Sequence, residues 1–266
     1  RQPIDLTSLF GDREVWLEIG FGGGEHMVHQ AVQNAQAGII GCEPFINGVA
    51  MLLGKIRAAE AQNVAVYPGD ARNMFDVLPE GSVSRAFLLY PDPWPKARHH
   101  RRRFVTQEHL EPLAKVLKKG ATFRVATDIP DYVRQTLEEV PRAGFEWLAE
   151  GPEDWRRPWD DWISTRYEQK ALREGRVPHY LTFRRELGIE PRGRAAARAA
   201  PCSARGAHHP LAAQPVTQPP QHVETLLELV EREIFVGFVR LINRAGAADH
   251  GGHAIALEQP RLGAEG

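Results

Sequence analysis

At 266 residues, of which 42% are hydrophobic, the chain is long enough for one large α/β domain plus an appendage. The net charge of −1 hides local asymmetry, and two cysteines, Cys42 and Cys202, without metal-ligand spacing argue against a disulfide framework or a zinc site. No uninterrupted apolar stretch reaches membrane-spanning length and no signal peptide is visible, so the expected compartment is the cytoplasm, although the chain begins at Arg1 and not Met.

Arg1–Arg13 reads as a short lead-in. Val15–Ile19 is an apolar run with the pattern of a buried strand, and Glu18 sits inside it. Gly20, Gly22, Gly23 and Gly24 follow at once, and Glu25 opens a helix to Gln36. Strand, glycine-rich turn and helix form the first unit of a doubly wound α/β fold, whose turn is where an adenosine-type ligand lies. Gly20 and Gly22 let the backbone approach such a ligand without a Cβ in the way. A dinucleotide fingerprint would need G-x-G-x-x-G. Counting from Gly20 ends on Glu25 and counting from Gly22 ends on Met27, so neither frame closes. The motif present is E-x-G-x-G-x-G, with an acid where a dinucleotide would place phosphates. That acid suits a ligand carrying an ammonium and a sulfonium, which is S-adenosylmethionine. The alternative is an ordinary β-turn-α connection with an incidental Glu, although a carboxylate inside an apolar strand is costly unless paired.

Ala37–Cys42 is the second strand, and Glu43 stands just past its end, positioned to accept both ribose hydroxyls, unless it is a surface loop acid. A helix over Ile46–Ala61 leads to the third strand, Val64–Tyr67, and to Gly69-Asp70-Ala71. Asp70 can accept from an adenine amino group, although Gly-Asp is also a common turn. Three acids after three consecutive strands, on one edge of a parallel sheet, form a constellation that chance rarely supplies. Ser84–Tyr90 is the fourth strand, and it runs into PDPWPKARHHRRR. The prolines hold this segment extended, which places Asp92 at the carboxyl end of a central strand, in the cleft where open α/β sheets bind substrate. Lys96, Arg98, Arg101, Arg102 and Arg103, with His99 and His100 among them, make a basic run. Such runs are often solvated faces, but one joined to an active-site loop suits a polyanion backbone. Thr106–Lys119 reads as a helix stopped by Lys-Lys-Gly, Ala121–Thr127 as the fifth strand, Pro130–Arg142 as a helix and Phe145–Leu148 as an edge strand. Asp128 either caps the helix at Pro130 or serves the site. After a Trp-rich loop over Trp155–Trp162, Thr165-Arg166-Tyr167-Glu168 fits a capping box for a helix over Tyr167–Glu174, and Tyr180–Phe183 is the last strand.

Up to about Leu187 the sequence resembles the bacterial tRNA (guanine-N7-)-methyltransferase family. The residues that carry the likeness are LEIGFGGGE at 17–25, GCEP at 41–44, GDA at 69–71, YPDPWPKARHHRRR at 90–103, ATD at 126–128 and TRYEQK at 165–170. The resemblance implies a Rossmann-like class I methyltransferase fold, a seven-stranded, mostly parallel sheet flanked by helices. It implies methyl transfer from S-adenosyl-L-methionine to N7 of a guanine in the variable loop of tRNA, with S-adenosyl-L-homocysteine as product. It further implies Glu18, Glu43 and Asp70 as donor contacts and Asp92 as the central active-site carboxylate, also near the donor. Lys96, Asp128 and Thr165, Arg166, Tyr167 and Glu168 would contact guanosine, and Arg98 to Arg103 would touch RNA. No metal and no membrane is implied, and monomer and homodimer stay open. Family members usually carry more residues before the first strand. Two rival readings remain. The first is another S-adenosylmethionine-dependent nucleic-acid methyltransferase, such as an amino-methylating DNA enzyme with a D-P-P-Y loop, which Trp94-Pro95-Lys96 matches poorly. The second is a non-catalytic RNA-binding subunit, against which the intact glycines and acids count.

The domain is thus expected over 1–187. Beyond it, 188–221 is rich in Ala, Arg, Pro, Gly and His and reads as a disordered linker. Residues 222–244 read as one helix, apolar on one side, and 245–266 as a disordered tail, unless the whole extension is non-native.

Overall fold

The computed structural model describes residues 3–186, so the expectations for 188–266 lie outside the described residues. Seven strands form one sheet: β1 (Glu14–Ile19), β2 (Ala37–Cys42), β3 (Val64–Tyr67), β4 (Val83–Leu89), β5 (Leu117–Thr127), β6 (Phe145–Trp147) and β7 (His179–Arg185). Their order is β3-β2-β1-β4-β5-β7-β6. The first five are parallel to one another, and β7 runs antiparallel to both β5 and β6. The strand order reverses between β1 and β4, and the crevice at the carboxyl ends there is where open α/β sheets hold ligands.

Alternation along the central strands sorts side chains to the two faces. Val15, Leu17 and Ile19 of β1 join Ile40, Cys42, Ala86, Leu88, Phe123 and Val125 in one core cluster. Helix α1 (Leu6–Phe10), α4 (Gln107–Val116) and α5 (Pro130–Arg142) cover that face through Phe10, Leu110, Leu113, Tyr132 and Val140. Trp16 and Glu18 point to the opposite face, where Trp16 meets the Phe87 ring. Helix α2 (Glu25–Gln33) and α3 (Ile46–Ala59) lie on that side, bringing buried Met27 and Leu52. Gly41 has no room for a Cβ beneath Met27 and Phe21, which is how α2 comes close to the sheet.

Boundaries differ from expectation in places that have physical causes. The lead-in contains α1, capped by Asp5, whose carboxylate accepts from Ser8 N at 3.0 Å. Lys118-Lys119-Gly120 does not end a helix; it lies in β5, which starts at Leu117. Leu117 pairs with Val83, and the ladder then skips to the Arg85–Thr122 pair, with Gly120 at φ 81° taking up the bulge. A short helix, α6 (Glu153–Arg156), stands at the start of the Trp-rich loop, and α7 (Arg166–Arg173) precedes β7. Among the described residues no helix is long and apolar enough to cross a membrane, and no group of three or more His, Cys, Asp or Glu is placed to hold a metal ion.

Candidate active site

The glycine turn after β1 is held from β2. Gly20 N donates to Cys42 O at 2.8 Å. Gly22 N donates to Glu43 Oε2 at 2.8 Å, and Phe45 N donates to Glu43 Oε1 at 2.9 Å. The buried Glu43 carboxylate therefore shapes the turn and keeps further lone pairs free, since each oxygen accepts more than one bond. Gly20 and Gly22 adopt φ of 71° and 56°, which side chains rarely tolerate. A Cβ on Gly20 would meet nothing within 4 Å, so it would stand in open space.

That space is a cleft of about 660 Å³ at the carboxyl ends of β1 to β4. Ile19, Gly20 and Gly22 line it from the turn, with Glu43 and Phe45 after β2 and Asp70 and Arg72 after β3. Leu88, Leu89, Tyr90 and Asp92 line it from the end of β4, and Trp94, Arg101, Arg102 and Tyr167 complete the wall. Asp70 caps the 3-10 turn Ala71–Asn73 and accepts from Arg72 N at 2.9 Å and Arg72 Nε at 2.8 Å. The Arg72 hydrogen bond holds the Asp70 carboxyl below the usual carboxylate range. The acids at the strand ends, with Arg72 paired to Asp70, suit a cationic adenosyl ligand, while Arg101, Arg102 and His109 are the other basic side chains of the lining.

Glu18 is placed elsewhere. It is 2% exposed, is not part of the cleft lining, and meets His26 Nδ1 of α2 at 2.7 Å. The strand alternation that turns Trp16 to the α2 side turns Glu18 there as well.

Beyond β4 the chain leaves regular structure. Only three non-glycine residues among those described have positive φ, and two of them, Tyr90 at 49° and Trp94 at 38°, flank Asp92. Such conformations cost of order 1–3 kcal/mol each and persist where neighbours hold them. The basic run forms a 3-10 turn over Ala97–Arg102. Arg102 lies over the Trp94 ring at 4.9 Å, and His99 meets the same ring edge-on at 5.9 Å. Lys96, Arg98, Arg101 and Arg102 are exposed, while His100 faces Asp131 at 3.3 Å. Arg103 differs from its neighbours: its side chain is fully buried behind the loop.

The start of α7 comes over the glycine turn. A Cβ on Gly22 would meet the Tyr167 ring at 2.9 Å, and one on Gly23 would run into the Arg166 guanidinium. Thr165 caps α7, its Oγ1 accepting from Glu168 N at 3.3 Å, which is the N-cap half of the expected capping box; the Glu168 carboxylate turns elsewhere. Glu168 is itself buried and accepts from Trp162 Nε1 at 3.1 Å, Tyr90 Oη at 3.3 Å and Tyr180 Oη. Burial, Tyr180 and Glu168 push the Tyr90 hydroxyl well above the usual phenol range, so it stays a donor. Asp128 is buried and ion-paired with Arg176.

Comparison with known proteins places this geometry. The family model described as "Putative methyltransferase" matches residues 12–181. A tRNA (guanine-N(7)-)-methyltransferase of Ruegeria pomeroyi is 82% identical over 188 residues, covering 71% of this chain and 79% of the relative. Another, from Agrobacterium fabrum, is 50% identical and covers 68% of this chain and 79% of its own length. The chain belongs to the tRNA (guanine-N(7)-)-methyltransferase family. Among solved structures, the 16S rRNA methyltransferase KamB superposes with a TM-score of 0.51 at 17% identity, covering 70% of this chain and 96% of that one, which bears on the fold alone.

For this member of the tRNA (guanine-N(7)-)-methyltransferase family, Gly20, Gly22, Glu43, Asp70, Asp92, Arg101, Arg102 and Tyr167 share one cleft. Glu18, Lys96, Arg98, His99, His100, Asp128, Thr165, Arg166 and Glu168 do not line it. Sequence reasoning missed Arg72, His26, Trp162, Tyr180 and Arg176, the partners of the expected acids. No motif marks them, since only tertiary structure brings them to those carboxylates.

Proposed function

We propose that this chain transfers the methyl group of S-adenosyl-L-methionine to N7 of a guanine in the variable loop of tRNA. The observation that carries the reading is the set of three acids, Glu43, Asp70 and Asp92, ranged around the glycine turn in a cleft whose outer wall is Trp94, Arg101 and Arg102. Glu43 would take the ribose hydroxyls and Asp70 the adenine side, whereas Glu18, expected at the donor, is buried against His26 and off the cleft. When bound, S-adenosyl-L-methionine supplies an electrophilic methyl on its sulfonium and leaves as S-adenosyl-L-homocysteine.

Guanine N7 already carries an in-plane lone pair, so no group must remove a proton before attack. The protein's work is alignment, a proximity effect. Asp92, exposed at the cleft between two strained residues, would accept from the guanine N1–H and N2 amino edge. Its charge favours the cationic purine that methylation creates. Glu168 and Asp128, each held by neighbours, would shape the guanine side with Thr165, Arg166, Tyr167 and Lys96. Lys96, Arg98, Arg101 and Arg102 would meet the phosphates, with a salt-dependent contribution from counterion release. Drawing the base into such a cleft costs a few kcal/mol of lost tertiary contacts, and Trp94 offers a flat surface to replace them.

The test is transfer of labelled methyl from S-adenosyl-L-methionine to unmodified tRNA, followed by nucleoside analysis. Label in 7-methylguanosine is expected. Label in any other nucleoside, or none, overturns the reading.

A further inference from the structure

Arg103 closes the basic run yet behaves unlike its neighbours. Nε donates to Pro93 O at 2.8 Å and Nη2 to Trp94 O at 3.4 Å. Nη1 donates to Gln135 Oε1 at 2.8 Å and pairs with Asp131 Oδ2 at 2.8 Å. The guanidinium lies over the Tyr132 ring at 5.1 Å. Asp131, Tyr132 and Gln135 all belong to the first two turns of α5, and Gln135 Nε2 donates onward to Val105 O at 2.7 Å. One planar fork therefore ties two consecutive carbonyls of the loop to a helix of the scaffold. Those carbonyls belong to the two residues that follow Asp92. One of the two, Trp94, has a left-handed backbone that does not hold itself. Only a guanidinium presents several donors in a fixed plane; a lysine ammonium would be a point charge on a flexible stem.

We propose that Arg103 is a positioning residue for Asp92 and Trp94: it holds the loop in its strained shape from behind and makes no contact with RNA. The proposal rests on the methyl-transfer reading for what the loop does, but the loop's shape can be measured apart from it.

The test compares Arg103→Lys and Arg103→Ala with the double variant Arg101→Ala/Arg102→Ala. Arg103→Lys keeps the charge, so a phosphate contact would survive it. The expected result for Arg103→Lys is an unchanged salt slope of tRNA binding, while the single-turnover rate at saturating tRNA and donor falls on the order of 10- to 10²-fold. The double variant should instead lose up to about two from the log–log salt slope. A wild-type saturated rate in Arg103→Lys overturns the proposal. So does a loss of about one from the salt slope in Arg103→Ala, or a rate loss that follows the unfolded fraction across temperature. A fluorine label on Trp94, read by NMR without substrate, should shift or broaden in Arg103→Lys. An unmoved signal overturns the proposal, whereas absence of 7-methylguanosine from the wild-type reaction would sink only the functional reading.

Discussion

Glu18 Oε2 lies 2.7 Å from His26 Nδ1, and both side chains are buried between β1 and α2. One hydrogen is shared between the carboxyl oxygen and the ring nitrogen. The His26 ring is packed against Phe87 at 4.7 Å and Trp162 at 5.3 Å, which fixes its plane. The strand acid that would be costly alone is thus paired across the face of the sheet.

His26→Ala would leave that carboxylate buried without its donor. The expected loss is about 3 kcal/mol of folding stability, the scale for leaving a buried polar group without its partner. His26→Gln, which can still donate, should lose less. Urea denaturation checks both, and a loss near zero for His26→Ala would mean that water reaches Glu18.

Glu43→Ala removes the acceptor for Gly22 N and Phe45 N together with the proposed ribose contact. Donor binding should weaken by roughly 1–3 kcal/mol, the cost of leaving polar groups unpaired. Titration calorimetry with S-adenosyl-L-homocysteine reads it directly. Unchanged affinity would remove Glu43 from the donor site.

Asp70 and Arg72 give a pH signature. The folded protein holds the Asp70 carboxyl below its ordinary value of 3.8. The contribution of the pair is therefore complete above that value and is lost as pH falls through the lowered one. Melting temperatures of wild type and Arg72→Gln should differ above the ordinary carboxyl value of 3.8 and converge as pH falls through the lowered one. A gap that persists in strong acid would mean the contact acts through packing.

Asp92→Asn keeps the shape of the side chain, removes its charge and turns one acceptor into a donor facing the proposed position of the guanine edge. Turnover should fall on the order of 10²-fold or more, as when one electrostatic stabiliser is removed. A tRNA with 7-deazaguanine at the target lacks the nucleophilic nitrogen but keeps the N1 and N2 edge, and it should bind nearly normally and accept no methyl. Methylation of that substrate would move the target to another atom, and near-normal turnover in Asp92→Asn would leave Asp92 as a turn residue.

Legibility in the sequence followed local punctuation. Strands β2 and β3 and helix α5 begin and end where expected, because glycines, prolines and apolar runs mark them. The border of α4 and β5 was not legible, since Lys-Lys-Gly is a helix stop in isolation and only pairing with β4 draws Leu117 into the sheet. The acids past β2, β3 and β4 could be placed by spacing alone, as strand ends on one edge share one cleft. Glu18 could not, because what faces it depends on which side of the sheet α2 covers. Arg103 was equally hidden: five like charges in a run look alike until Asp131 and Gln135, far along the chain, pick out one to bury. Pairing of Asp128 with Arg176 is of the same kind.

Tyr167 and Gly22 stand on segments from opposite ends of the domain, and their contact makes the glycine turn and the start of α7 a single wall. On the proposed reading both reactants meet that wall, and a substitution at Tyr167 should then alter the Michaelis constants for donor and for tRNA together, so neither shift alone would assign the side chain to one reactant. Assignment has to come from each reactant titrated in the absence of the other.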